Sequence, residues 1–299
     1  MAWRSHARVS RSGDAAGCTK CVILISALGT SGHRGYGRTS SNARAAGAPC
    51  GYSWGMGGQI RIGTSGWSYW HWRNVFYPVS MPPGLYLSTY AREFCTVEIN
   101  SSFYHLPDEK TVRAWVAATP ADFVFSLKGS SSITHRKKLK DPERTLTRFT
   151  GLFPMFGRKL GPVLFQLPPR FHANLERLER FLDALPAERR YAFEFRDPSW
   201  FVEPVRRLLI ERGVALCMYD IAGFATPDWV TAPFVYLRLH GPSPFYLGRY
   251  TDRELEEYAG RIRAWAADGR DVYCYFNNDA LGNAIFGART LRQMLGGPC

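Results

Sequence analysis

Eight short apolar runs, each followed by a longer stretch that is mostly helical in pattern, restrict what this chain can fold into. The runs cover residues 60–63, 96–100, 123–128, 162–166, 191–196, 214–219, 234–240 and 272–277. They have the length of strands, and several alternate apolar with polar residues. Between them, residues 174–185, 198–212 and 252–267 carry helical spacing. Capping signals agree: Asp108 leads into a helix over 109–118, Asp141-Pro142 opens another, and Thr251-Asp252-Arg253-Glu254 is a capping-box pattern. Strand and helix alternating in this way predict a parallel α/β sheet, and eight strands close a single (β/α)8 barrel of the TIM type. The link from 220 to 233 has no helical pattern, so the barrel is expected to be irregular after strand six. A doubly wound open sheet is the competing arrangement.

Side-chain alternation separates the two faces of each strand. Ser65, Glu98, Asn100, Lys128, Gln166, Glu194, Arg196, Arg238, His240 and Asn277 share one parity, at or just past the strand ends. The other parity reads Ile60, Ile62, Val97, Ile99, Phe193, Phe195, Val235, Leu237, Leu239, Cys274 and Phe276. Apolar side chains facing out beneath helices, with polar ones facing in at the carboxyl ends, describe a barrel whose site is its mouth. A buried carboxylate needs a partner, so Glu98 and Glu194 are expected to meet Arg196, Arg238 or a ligand.

The net charge of +13 favours anionic partners. Of that, +6 lies in residues 1–57, which hold seven basic residues and one acid, and +7 lies in the rest. Residues 1–57 are rich in Arg, Ser, Gly and Ala without apolar periodicity. They read as a disordered or non-native leader ahead of a barrel domain at 58–299, with Met56 a candidate start. Cys18 and Cys21 have zinc-knuckle spacing, but no second pair follows, so no metal site is expected there. Cys95, Cys217 and Cys274 lie in apolar or strand-like context, which fits reduced core cysteines of a cytoplasmic protein. No apolar run reaches the roughly 18 residues of a membrane span, and no membrane partner is expected.

Six motifs then occur in order: Gly63-Thr64-Ser65-Gly66-Trp67, Val97-Glu98-Ile99-Asn100 with Phe103-Tyr104, Gln166-Leu167-Pro168-Pro169, Glu194-Phe195-Arg196, Arg238-Leu239-His240-Gly241 and Tyr275-Phe276-Asn277-Asn278. Through them the chain resembles the YecE-like domain-of-unknown-function 72 family, from about Arg61 to its end. The resemblance implies a triosephosphate-isomerase-type barrel in a cytosolic bacterial or archaeal protein. It implies no settled activity, and it does not reach the leader.

Three functions fit the polar mouth. In the first, a hydrolase-like enzyme acts on a small phosphorylated or polyanionic ligand, nucleic acid included. Glu98 or Glu194 is then the acid/base, His240 an auxiliary proton carrier, and Arg196, Arg238 and Lys128 the anion clamp. Ser65, Asn100, Gln166, Asn277 and Asn278 would orient ligand oxygens, and Trp67 and Tyr104 would stack on flat groups. In the second, a metal-free carbohydrate-active enzyme uses Glu98 and Glu194 as its carboxylate pair. In the third, a non-catalytic nucleic-acid binder uses Arg136, Lys137, Lys138 and Lys140 of the loop at 129–140, and the inner ring is structural. One histidine with scattered carboxylates is thin for a dedicated metal centre, although a magnesium on Glu98, Glu194 or Asp220 stays open. Neither a zinc-protease helix motif, a phosphate-cradling Gly-rich loop nor a nucleophile elbow occurs, and no cofactor is expected.

Overall fold

The computed structural model describes residues 57–221, 224–243 and 246–297. But for Gly57, the expected leader lies outside the described residues. Eight strands follow: β1 (Ile60–Thr64), β2 (Thr96–Ile99), β3 (Val124–Lys128), β4 (Leu160–Gln166), β5 (Tyr191–Glu194), β6 (Ala215–Ile221), β7 (Phe234–Leu239) and β8 (Asp271–Phe276). Their spatial order is β1-β8-β7-β6-β5-β4-β3-β2, every neighbouring pair being parallel. The ends of that row meet at a single bridge, Ser65 to Glu98, beside which the Gly66 N–H donates to the Glu98 carbonyl at 2.8 Å. This is the predicted TIM-type barrel, and the seam between its first two strands is its thinnest ladder. A Cβ on Gly63 would lie 2.3 Å from the Thr96 carbonyl oxygen, so the missing side chain lets β1 come up against β2.

Helices α1 (Tyr86–Tyr90), α2 (Glu109–Ala117), α3 (Pro142–Thr150), α4 (Phe153–Phe156), α5 (Leu175–Asp183), α6 (Glu203–Glu211), α7 (Asp252–Ala267) and α8 (Asn283–Met294) fill the crossovers and the carboxyl end. Between β6 and β7 no helix occurs among the described residues. The short strand Phe224–Ala225 folds back antiparallel on β6 instead, which is the expected irregularity.

Local chemistry sets the helix starts. Asp108 and Asn174 accept from backbone N–H groups of Thr111 and Arg177, and Thr251 forms a complete capping box with Glu254. Two expectations need correction. Asp141 makes no side-chain cap and sits at φ 50°, leaving Pro142 to set the start of α3. The helix expected over 198–212 is broken: Pro198–Trp200 is a 3-10 turn, and α6 begins only at Glu203. Val202 is extended, at φ −127° and ψ 151°, and Pro204 falls in the first turn of α6, where its missing N–H is not needed.

The two strand parities bury two separate cores. Val97, Ile99, Phe165, Phe193, Phe195, Leu237, Leu239 and Phe276 lie beneath the helices. Inside the barrel, Val124, Leu164, Ala192, Cys217, Phe234, Tyr236, Tyr273 and Tyr275 form the second cluster. Buried tyrosine hydroxyls need partners. That of Tyr275 lies between Thr96 Oγ1 (2.7 Å) and Ser126 Oγ (2.8 Å). Cys217 and Cys274 are buried and free, whereas Cys95, against expectation, is disulfide-bonded. Among the described residues no helix is long and apolar enough to cross a membrane.

Candidate functional site

Above the tyrosine layer the inward parity assembles a ring of charge, with Arg238 at its centre. Arg238 is wholly buried. It donates from Nη2 to Glu98 Oε1 at 2.8 Å and from Nη1 to Glu194 Oε2 at 2.7 Å. Glu98 also accepts from Ser65 Oγ (2.6 Å) and from the Tyr236 hydroxyl (2.7 Å). The second oxygen of Glu194 takes the Arg196 guanidinium. Burial alone would raise the Glu194 pKa. The Arg196 and Arg238 charges outweigh it and hold the carboxyl well below the usual range. Neither carboxylate is free: Glu98 is held by one guanidinium and two hydroxyls, Glu194 by two guanidiniums.

His240 is neutral, because desolvation and then the Arg238 charge push its pKa well down. Its Nε2 lies 2.8 Å from Arg196 Nη2 and its Nδ1 2.9 Å from the Asn277 amide. Arginine can only donate, so Nε2 accepts and the ring proton sits on Nδ1; the amide of Asn277 must then present its oxygen. Glu194 Oε1, 3.8 Å from Nε2, is therefore a neighbour and not an ion-pair partner of this ring.

Lys128 differs from the other two cations. It ends β3 only 7% exposed, and its Nζ stands 4.5 Å from the centroid of the Phe103 ring. Among the described residues it has no carboxylate within ion-pair distance and no side-chain hydrogen bond. Desolvation, followed by the Arg238 charge, lowers its pKa to about 8. Lys128, Arg196 and Arg238 thus face two carboxylates, and the ring keeps one positive charge.

His135 escaped the sequence reading. It lies seven residues past Lys128, in a π-helical turn, Ser132–Arg136, where the run of cations after it drew attention to the loop's surface. Its ring packs edge-on against Phe103 at 4.9 Å, and its Nδ1 is 2.9 Å from Thr134 Oγ1. Desolvation and the Lys128 charge lower its pKa.

Beside the ring opens a cavity of about 370 Å³, lined by Gln166, Pro169, Arg196, Tyr219, Phe224 and Tyr246 among others. The Arg196 guanidinium lies 4.4 Å from the Tyr219 ring centroid, and Tyr246 packs against His240 at 5.0 Å. Tyr219 has the inward parity of β6 and could have been found by the same alternation. Tyr246, in the loop after β7, carries no periodic signal.

Ser65, Glu98, Lys128, Gln166, Glu194, Arg196, Arg238, His240 and Asn277 therefore come together. Asn100 follows β2 with its Oδ1 buried and unbonded. Three candidates stand apart. Trp67 packs edge-on against Trp115 of α2 at 5.2 Å, and Tyr104 is 68% exposed on Phe103. Asn278 has the outward parity, and its amide donates to the Gly248 carbonyl at 2.9 Å. Asp220 also takes the outward side, where Tyr250 and Tyr258 donate to it at 2.6 and 2.8 Å. That separates it from Glu98 and Glu194, so the three do not form a magnesium set. Among the described residues no three His, Cys, Asp or Glu side chains cluster as metal ligands.

Known proteins share this barrel. The chain is 27% identical to a DUF72 family protein from Thermotoga maritima, with a TM-score of 0.71 covering 79% of this chain and 99% of that one. A DUF72 family protein from Enterococcus faecalis, 22% identical with a TM-score of 0.67 over 81% and 99% of the two chains, shares the fold. Among curated proteins it is similar to UPF0759 protein YunF of Bacillus subtilis, at 26% identity over 79% of this chain and 94% of that one. It is also similar to UPF0759 protein YecE of Escherichia coli K12, at 31% identity over 52% of this chain; the match spans 55% of that relative's length. The model of the protein family of unknown function DUF72 matches residues 61–298, and the chain belongs to that family.

Proposed function

We propose that the barrel mouth binds a small compound bearing a phosphate or similar anionic group, and that the chain is an enzyme acting on it. One observation carries this reading: Lys128 is a desolvated cation with no counter-ion among the described residues, beside a ring whose other charges are paired. Buried charges are normally paired, and an anionic ligand would supply the partner. Arg196 and Gln166, which line the cavity beside the ring, would share in holding the same group. Glu98, Glu194 and Arg238 act here as a fixed charge frame. The carbohydrate-active alternative asks a carboxyl of this pair to carry a proton, and Glu194 is held ionised.

Titration with inorganic phosphate, followed by thermal melting and calorimetry at low salt, tests the reading. Binding should weaken as pH rises through about 8, where Lys128 loses its charge. It should fall at least about tenfold in Lys128→Met, a loss of about 1.4 kcal/mol. Phosphate that neither binds nor stabilises, or binds the variant equally, refutes it. A second reading, a polyanion such as nucleic acid lying on the rim, draws support from the exposure of Arg136, Lys137, Lys138 and Lys140 after β3. It predicts oligonucleotide retention that depends steeply on salt and survives loss of Lys128.

A further inference from the structure

We infer that Lys128 is an amine nucleophile that forms an iminium with an aldehyde or ketone carrying an anionic group. The inference rests on the anion-binding reading of the mouth and adds a chemistry to it. A lysine becomes a nucleophile where its ammonium is desolvated, crowded by other cations and unbound by acceptors. Lys128 meets each condition. Its Nζ rests over the Phe103 ring and makes no hydrogen bond or ion pair within the described residues, and the Arg238 charge works against its own.

Lys159 provides the contrast within the same chain. Its pKa is also lowered by desolvation, but its Nζ donates to the Val116 and Thr119 carbonyls at 2.6 and 2.8 Å and to Thr119 Oγ1 at 3.0 Å. Those three bonds consume the three protons of an ammonium, so Lys159 is tied down as a cation. With a pKa of about 8 against an ordinary 10.5, Lys128 presents roughly 300 times more neutral amine at pH 7 than a surface lysine.

The surroundings supply the remaining parts. His135 is neutral and packs on the same phenyl ring as the amine, and in this scheme it takes the amine's proton. In the step itself, the ammonium first gives a proton to that base. The Nζ lone pair then forms the C–N bond while the carbonyl π pair moves to oxygen, which is protonated. The carbinolamine expels that oxygen as water, carrying away two of the three ammonium protons in all, and the iminium keeps one proton and the positive charge. No oxidant or reductant enters. The charge of the site is unchanged, so the pairing with an anionic substituent held by Arg196 persists through the step. Asn100, whose buried Oδ1 has no hydrogen-bond partner among the described residues, follows the neighbouring strand β2, and in this scheme the carbinolamine hydroxyl donates to it.

Reductive trapping tests this on the full chain. The protein is incubated at pH 7 with pyruvate in one arm and dihydroxyacetone phosphate in the other. Neutral glycolaldehyde serves as the comparison, borohydride is added, and the adduct is located by peptide mass spectrometry. The two anionic arms separate a keto acid from a sugar phosphate as the source of the carbonyl. We expect one equivalent on Lys128 in at least one anionic arm. It should form roughly tenfold faster than on exposed Lys110 or on Lys159, since lower basicity takes back about half of the gain in amine fraction on a logarithmic scale. Excess inorganic phosphate should slow it. The adduct should vanish in both Lys128→Arg and Lys128→Gln, each checked for a melt no lower than the parent's.

Labelling of Lys128 no faster than of Lys110 overturns the inference, and so does equal labelling by glycolaldehyde. If phosphate still stabilises the chain while Lys128 stays unlabelled, the nucleophile is refuted and the anion site stands. If phosphate neither binds nor protects and Lys128 is unlabelled, both are refuted.

Discussion

Replacing Arg238 by methionine should be the most damaging single change that leaves the barrel's volume nearly intact. The side chain is completely buried and makes charged hydrogen bonds of 2.8 Å to Glu98 and 2.7 Å to Glu194. Methionine fills much of the same space but donates nothing. Glu194 would keep Arg196, whereas Glu98 would retain only the hydroxyls of Ser65 and Tyr236. Removing one partner of a buried pair costs about 3–5 kcal/mol, because the other charge stays behind uncompensated. For a barrel of this size that corresponds to a fall in melting temperature of roughly 10 °C. The cause can be isolated with a second change. Glu98→Gln in the Arg238→Met background deletes the stranded charge, keeps one oxygen to accept from Ser65 or Tyr236, offers the other hydroxyl an N–H to accept instead, and should restore about 1–2 kcal/mol. Urea unfolding at pH 7 of the parent, both single variants and the double variant measures the coupling. A cost below about 1 kcal/mol for Arg238→Met, or a double variant no more stable than the single, refutes the view that the ring is a desolvated ion network.

Lys128→Met should stabilise the folded chain at pH 7. The folded pKa lies below the unfolded value, so the unfolded chain binds more protons between pH 8 and 10.5, and the penalty disappears as pH rises through that window. The gap, at most about 3 kcal/mol at pH 7, should close by pH 10.5 in paired denaturation curves; equal stability at pH 7 would contradict it. Gly63→Ala forces a methyl against the Thr96 carbonyl at the β1/β2 seam and should cost about 1–3 kcal/mol by thermal melt. Lys138→Ala, on the exposed loop, should change stability by less than about 0.5 kcal/mol. If the rim binds polyanions, it should lower the salt dependence of oligonucleotide retention by about one unit in a log–log plot.

The barrel was legible because its two faces obey different chemistry. One parity of Val97, Ile99, Phe193, Phe195, Leu237 and Leu239 can only be outer core, and the other, from Glu98 to Arg238, can only be a satisfied interior. The same alternation placed Glu98, Glu194 and Arg238 together but could not tell who bonds whom. That depends on register: β7 sets Tyr219 beside Arg238 and Cys217 beside Tyr236, and register is written into cross-strand packing rather than composition. Trp67 and Asn278 were misplaced for a related reason. Motif membership put them at the mouth, while residue parity turns Asn278 outward and a contact with Trp115 holds Trp67 against α2. His135 and Tyr246 sit in loops, where side-chain direction follows local backbone and leaves no periodic trace.

The uneven ladder has a consequence for how the chain comes into being. β1 is the first strand of the barrel to leave the ribosome, yet toward β2, which follows it by about thirty residues, it makes one bridge. Its full partner is β8, with five paired positions from Ile60–Val272 to Thr64–Phe276, some 210 residues later. During synthesis β1 therefore waits with most of its backbone unpaired until the last strand arrives. A fold closed by its two most distant strands has a high contact order and reaches its native state only when nearly complete. Chains halted before residue 271 should expose β1 as an unpaired edge, while strands β2 to β6 are already able to pair in sequence.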